Sequence, residues 1–198
     1  MLLPLICVPN AHQPVPSPLS YPRDPMYDFS PEQNDRAATL LTSGRACLGL
    51  SMTDAITVVA HMSRQVYVDG MVLIRESERG DASAHMMLVM QGAVVVEQQR
   101  HGRADPLIVA QLEQGDFLGE MSIIDGAPRS ATCRAVGDLE VATLSREQLL
   151  RLVAKHPAVA AKLLLAVAQR MAERLRQNAQ KLFLYEQLVN AANDELTP

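Results

Sequence analysis

Hydrophobic and polar positions along the chain change their period twice. Between residues 32 and 61 the apolar residues fall at helical spacing: Ala37, Leu40 and Leu41, then, past Gly44 and Gly49, Ile56, Val59 and Ala60 behind a Ser51-Met52-Thr53-Asp54 capping signal. Two short helices are predicted there. From Gln65 to Leu144 the pattern becomes short runs of β-branched and aliphatic residues at 66–68, 71–74, 86–90, 93–96, 107–112 and 139–144, punctuated by Gly70, Gly80, Gly92, Gly102, Gly115, Gly126 and Gly137. Glycines roughly ten residues apart are the rhythm of a small antiparallel barrel or jelly roll. Past Gly137 the chain has no further glycine, and the period returns to that of a helix. Ser145-Arg146-Glu147-Gln148 reads as a capping box opening a short helix through Leu149, Leu150 and Val153, and Pro157 suits the first turn of a second helix reaching about Ala192. Along that helix Leu164, Ala168, Met171, Leu175, Asn178, Leu182, Tyr185, Val189 and Ala192 alternate spacings of four and three, a heptad seam. About 35 residues of helix span about 50 Å, more than the roll needs for packing, so pairing with a partner helix is expected. The fold class predicted is α+β, an antiparallel, jelly-roll-like β-roll flanked by short N-terminal helices and a long C-terminal helix.

Proline marks a further division. Eight of the twelve prolines lie in the first 31 residues, which cannot sustain a helix or a central strand and read as a tail or extended arm, or as sequence ahead of a start at Met26. Three regions result: residues 1–31, the arm; 32–156, the roll with its flanking helices; and 157–198, the long dimerisation helix and a short tail. The apolar run at residues 1–8 is broken by Pro4, has no basic residue before it and is too short to span a bilayer. Neither a signal peptide nor a membrane helix is expected. Cys7, Cys47 and Cys133 are odd in number and in no metal or redox spacing, which fits a reducing cytoplasm. A formal charge of −4 lacks the basic excess that displaces counterions from nucleic acid, so no nucleic-acid binding is expected.

Candidate chemistry concentrates in residues 115–132, which read Gly-Asp-Phe-Leu-Gly-Glu-Met-Ser-Ile-Ile-Asp-Gly-Ala-Pro-Arg-Ser-Ala-Thr. A strand ends at a glycine, a carboxylate follows, one helical turn intervenes, and Pro128-Arg129-Ser130-Ala131 leads into the next strand. Gly119 permits close backbone approach to a ligand, and Arg129 offers a fork of donors matching two oxygens of a phosphate. Glu120 would accept from a hydroxyl, so a phosphorylated sugar satisfies both side chains. His12, His61, His85, His101 and His156 are isolated in sequence, without the paired spacing a metal-dependent β-roll enzyme needs, and each reads as a surface or loop residue. No nucleophile and base pair stands out, and Cys133, inside a strand, reads as a small buried hydrophobe. No metal and no enzymatic activity are expected.

At these residues the sequence resembles the cyclic-nucleotide-binding domain of the catabolite-activator family, of kinase regulatory subunits and of cyclic-nucleotide-gated channels. Leu118-Gly119-Glu120 and Pro128-Arg129-Ser130-Ala131 fit the family's phosphate-binding cassette, with Gly70, the loop at 76–81 and Gly92 in support. Ser77 departs from the pattern, where the family usually has glycine. The resemblance, which covers about residues 50 to 190, implies that Glu120 binds the ribose 2′-hydroxyl and that Arg129 binds the exocyclic phosphate oxygens, assisted by Ser130 and by the Ser130 and Ala131 backbone N–H groups. It implies Val96 and Val109 on the base and sugar side, and Asn178 against the base; Asn178 reads equally as a register-setting polar residue of the seam.

The activator-type helix-turn-helix is not expected in the few residues after the long helix. A cytoplasmic regulatory module is expected, one that binds cAMP or cGMP, pairs as a homodimer and signals to an effector protein by conformational change. The alternative is a degenerate member that serves as a dimeric interaction scaffold without ligand. Residue types alone do not choose between cAMP, cGMP and a cyclic dinucleotide.

Overall fold

The computed structural model describes residues 29–42, 49–80, 84–100 and 105–196, with side chains through residue 190. The predicted N-terminal arm, apart from residues 29–31, and the glycines at 44 and 102 lie outside the described residues. Helices α1 (Pro31–Thr42) and α2 (Met52–Val59) precede strands β1 (Ser63–Tyr67), β2 (Val72–Ile74), β3 (His85–Gln98), β4 (Leu107–Leu112) and β5 (Phe117–Leu118). A single-turn helix α3 (Glu120–Asp125), strand β6 (Thr132–Ser145) and helices α4 (Arg146–Lys155) and α5 (Pro157–Leu196) complete the chain order. This is the antiparallel roll with flanking helices that the hydrophobic pattern predicted.

The two longest strands form the spine. Strand β6 pairs β3 along most of its length, β1 along 139–143 and β2 near 133–134, while β3 pairs β5 at 87–88 and β4 along 94–98, so each half of the spine carries a different neighbour. The runs at 86–90 and 93–96 were expected as separate strands, but they are one strand. The β3–β6 register shifts between Val89 and Ala93, and Gly92, at φ 85°, bends the strand without ending it. A Cβ at Gly92 would stand 2.5 Å from the Asp138 carbonyl, so the close approach of the two strands requires a glycine there.

Residues 86–90 are buried on both faces, which explains their unbroken apolar run. Met86, Leu88 and Met90 pack with Ala142 and Leu144 against the helices, where Ala37, Ala38, Leu41, Ala55 and Val58 meet Leu149, Leu152, Ala160, Leu163 and Val167. Met87 and Val89 face the roll interior with Leu73, Ile74, Val94, Leu118, Leu139 and Val141. Two layers of core therefore share one strand, and the side-chain alternation of that strand sorts them.

Local signals hold with small shifts. Ser51 accepts from the Asp54 backbone and Asp54 from that of Ser51, a complete capping box, whereas Ser145 caps α4 through Gln148 N–H alone. Helix α4 buries Leu149 and Leu152 and leaves Leu150 and Val153 exposed, and Ile56 of α2 is likewise exposed. Two histidines expected to be isolated meet: the rings of His61 and His156 stand edge to face at 5.9 Å. His85, expected at the surface or in a loop, is buried at the start of β3.

Helix α5 leaves the roll partway along its length. Ala160, Leu163, Ala166 and Val167 are buried, and Lys162 donates to Asp54 of α2 at 2.6 Å. From residue 173 to 190 every side chain is exposed.

Candidate functional site

Between β5 and β6 the chain must turn, and the turn is built around Gly119 and Arg129. Gly119 adopts φ 77°, and a Cβ there would lie 2.5 Å from Arg129 Nη1 and 2.7 Å from the His85 carbonyl. The glycine expected to admit a ligand thus makes room for the arginine itself. Arg129 donates from Nη1 to the Gly119 carbonyl at 3.0 Å and from Nη2 to the His85 carbonyl at 2.8 Å. Its backbone N–H donates to Glu78 O at 3.0 Å, and its carbonyl accepts from Ser77 N–H at 2.8 Å. Ser77, at φ 66°, is the one non-glycine with positive φ among the described residues, at the turn where glycine was the expected residue.

Burial is the dominant electrostatic influence on this corner. It holds the Arg129 guanidinium below its usual pKa, opposed by the nearby Cys133, Glu78 and Glu120. The same burial pushes the Cys133 thiol up to about 12, which keeps it protonated and unreactive at neutral pH.

Glu120 opens α3 and is 6% exposed. Its carboxylate accepts from Arg174 Nη1 of α5 at 2.5 Å, and Arg174 Nη2 donates to the Phe117 carbonyl at 3.1 Å. One helical turn earlier, Arg170 pairs with Asp116 at 3.4 Å. Two arginines at i and i+4 thus fasten α5 across the end of β5 and the start of α3. The sequence pattern did not single out Arg174. Its signal was there, four residues before Asn178 on the flank of the seam, but the partner carboxylate lies 54 residues away.

These groups surround a cleft of about 100 Å3. Ile74, Val96, Leu112, Leu118 and Cys133 form an apolar wall, and Gly119, Glu120, Arg129, Ser130, Ala131 and Arg174 form the polar side. Six of the eight residues singled out in the sequence meet here, and two do not. Val109 lies at the bulge of β4, between the Val96–Ala110 and Glu97–Ile108 pairs, and does not line the cleft. Asn178 sits one turn beyond Arg174, exposed where α5 has left the roll. Among the described residues no group of three or more His, Cys, Asp or Glu side chains could hold a metal ion. An apolar wall facing a carboxylate and two guanidiniums suits a ligand with an apolar part and a part that carries both hydrogen-bond donors and negative charge.

Residues 64–156 match the family described as the cyclic nucleotide-binding domain. A cGMP-dependent protein kinase of Caenorhabditis elegans is 34% identical over 124 residues, covering 62% of this chain and 15% of the kinase. The cyclic AMP receptor protein of Thermus thermophilus is 31% identical over 125 residues, covering 63% of this chain and 56% of that protein. The chain therefore spans well under two thirds of either relative. A cyclic nucleotide-binding domain from Methylobacillus flagellatus superposes with a TM-score of 0.67 at 25% identity, over 77% of this chain and 83% of that one. With the roll, the single-turn helix and the Gly119 to Ala131 cassette in place, residues 64–156 are a domain similar to the cyclic nucleotide-binding domains.

Proposed function

We propose that the cleft takes a cyclic mononucleotide, cAMP or cGMP, with Glu120 accepting from the ribose 2′-hydroxyl and Arg129, Ser130 and the Ala131 N–H holding the phosphate. The observation that carries this reading is the convergence of Glu120, Arg129 and Ser130 on one cleft with an apolar wall that includes Val96. The two relatives are named for cAMP and for cGMP, which leaves both purines as candidates. The chain acts by binding, not by catalysis, and its place is the cytoplasm. No helix of the described residues is long and apolar enough to cross a membrane.

Signalling follows from the shared carboxylate. Arg174 holds Glu120, so a ribose hydroxyl that enters must share or displace that contact, and the hold on α5 changes with ligand. The exposed seam of α5 pairs with a second copy. In heptad terms Lys181 flanks the seam at g and Glu186 at the following e, so two parallel helices set opposite charges against each other. The changed helix surface is what an effector protein reads.

One observation favours the scaffold alternative: Arg129 and Glu120 already have protein partners. Calorimetric titration of the full chain with cAMP, cGMP and 5′-AMP separates the readings. Binding of a cyclic nucleotide, with stabilisation of about 2.7 kcal/mol at a hundredfold excess over Kd, supports the regulatory reading. No heat and no melting shift with any cyclic nucleotide leaves the scaffold.

A further inference from the structure

The two backbone N–H groups expected at the phosphate, those of Ser130 and Ala131, share their peptide planes with the carbonyls of Arg129 and Ser130. A trans peptide is planar and its N–H points opposite to its C=O, so a bond that fixes the carbonyl also aims the N–H. Both carbonyls are held. That of Arg129 accepts from Ser77 N–H at 2.8 Å, and that of Ser130 accepts from Gln98 Nε2 at 3.1 Å. The first donor is the backbone of the residue at φ 66°, so local strain accompanies that bond. The second donor is a side chain, and a substitution can remove it.

Gln98 is the last residue of β3, and contacts outside the cleft place it. Its backbone pairs with Leu107 of β4. The next residue, Gln99, donates its N–H to Glu76 Oε2 at 2.9 Å, and Glu76 N–H donates to Thr132 Oγ1 at 3.0 Å. The end of β3, the turn after β2 and the start of β6 are thereby stitched together beside the cassette. Val96, two residues earlier on the same face of the strand, lines the cleft, whereas Gln98 does not. We infer that Gln98 is a positioning residue for the phosphate, one that grips the Ser130 carbonyl from behind and turns the Ala131 N–H into the cleft. The inference rests on the cyclic-nucleotide reading of that cleft. A donor already aimed loses little freedom when the anion arrives, and a peptide whose carbonyl accepts a bond is the more polarised donor. With the carbonyl released, the peptide plane can rotate and the N–H loses its aim.

Calorimetry of the full chain with cAMP, cGMP and the two phosphorothioate diastereomers of cAMP, in which sulfur replaces one or the other exocyclic oxygen, tests this role. Gln98→Met keeps the length of the side chain and deletes the donor. Without ligand the variant should melt with the parent, because the bond lies at the surface. It should bind cAMP and cGMP each about 3- to 10-fold more weakly, the worth of one neutral hydrogen bond. The ratio of the cAMP and cGMP affinities should stay as it is. The parent's preference for one phosphorothioate diastereomer should shrink, since sulfur accepts poorly and a donor without aim no longer tells the two oxygens apart. A parent that binds cAMP but treats the diastereomers alike overturns the positioning role and leaves the cyclic-nucleotide reading standing. A Gln98→Met protein that binds as tightly as the parent, or one that loses affinity with the diastereomer preference intact, does the same. A parent that binds no cyclic nucleotide removes both.

Discussion

Replacing Arg129 by alanine should damage the fold and the ligand site together, by amounts that can be separated. Arg129 is 5% exposed, and its guanidinium bonds two backbone carbonyls, those of Gly119 and His85, which ties the cassette to the first residue of β3. Leaving a buried acceptor without its donor costs about 1–3 kcal/mol, and two are left. Against this, the variant no longer buries a cation, and the lowered pKa of Arg129 shows that its burial is unfavourable. A net loss of about 2–4 kcal/mol is expected, roughly 5–15 °C in melting temperature for a domain of this size. Binding should suffer more. Removing one partner of a desolvated charge pair costs about 2–5 kcal/mol, so affinity for cyclic nucleotide should fall roughly 30-fold to several thousandfold. Differential scanning fluorimetry of the ligand-free variant reads the first effect. Calorimetry well below the variant's melting point, with circular dichroism confirming the fold, reads the second. An unchanged melting temperature would show that the guanidinium does not bridge Gly119 and His85 in solution, and unchanged affinity would show that it is not the phosphate ligand. Arg129→Lys keeps the charge but not the fork, and should lie between parent and alanine variant in stability while losing most of the affinity.

Ser77→Gly should raise stability by about 1 kcal/mol, since a left-handed φ of 66° is strained for serine and free for glycine; a lower melting temperature would show that the side chain contributes more than the strain takes away. Gly92→Ala should lower stability by about 3 kcal/mol, because its Cβ would press on the Asp138 carbonyl and Leu139 Cα at a φ of 85°; chemical denaturation that matches the parent would contradict the close β3–β6 approach. Cys133 predicts a pH dependence. Its folded pKa is raised to about 12, so above about pH 9 the unfolded chain releases a proton that the folded chain keeps, and stability falls by about 1.4 kcal/mol per pH unit. Between pH 8 and 10.5 the parent should lose about 2 kcal/mol more than a Cys133→Ala variant; equal losses would mean that the thiol is not buried.

Much of this protein is written locally. The cassette from Gly119 to Ala131 was legible because its glycine, carboxylate, proline and arginine sit within thirteen residues, where turn chemistry and backbone sterics act on the chain directly. The caps at Ser51 and Ser145, the six residues of β4 and the start of α5 at Pro157 were legible for the same reason. The heptad seam was visible as a period, as was the unpaired length of α5.

Other features depend on which segments come together. Glycine reads as a turn in a sequence, yet Gly92 and Gly137 lie within long strands, where their positive φ bends β3 and β6 without ending them. Val109 and Asn178 have the residue types of ligand contacts, but a bulge in β4 and the departure of α5 from the roll carry them off the cleft. The contacts of Arg174 with Glu120 and of Arg170 with Asp116 arise only once a helix and a turn 54 residues apart are packed together. Local sterics and hydrogen bonding set each element from the residues inside it. The partners of a buried charge are set by the packing of elements distant in sequence, which only the tertiary structure decided.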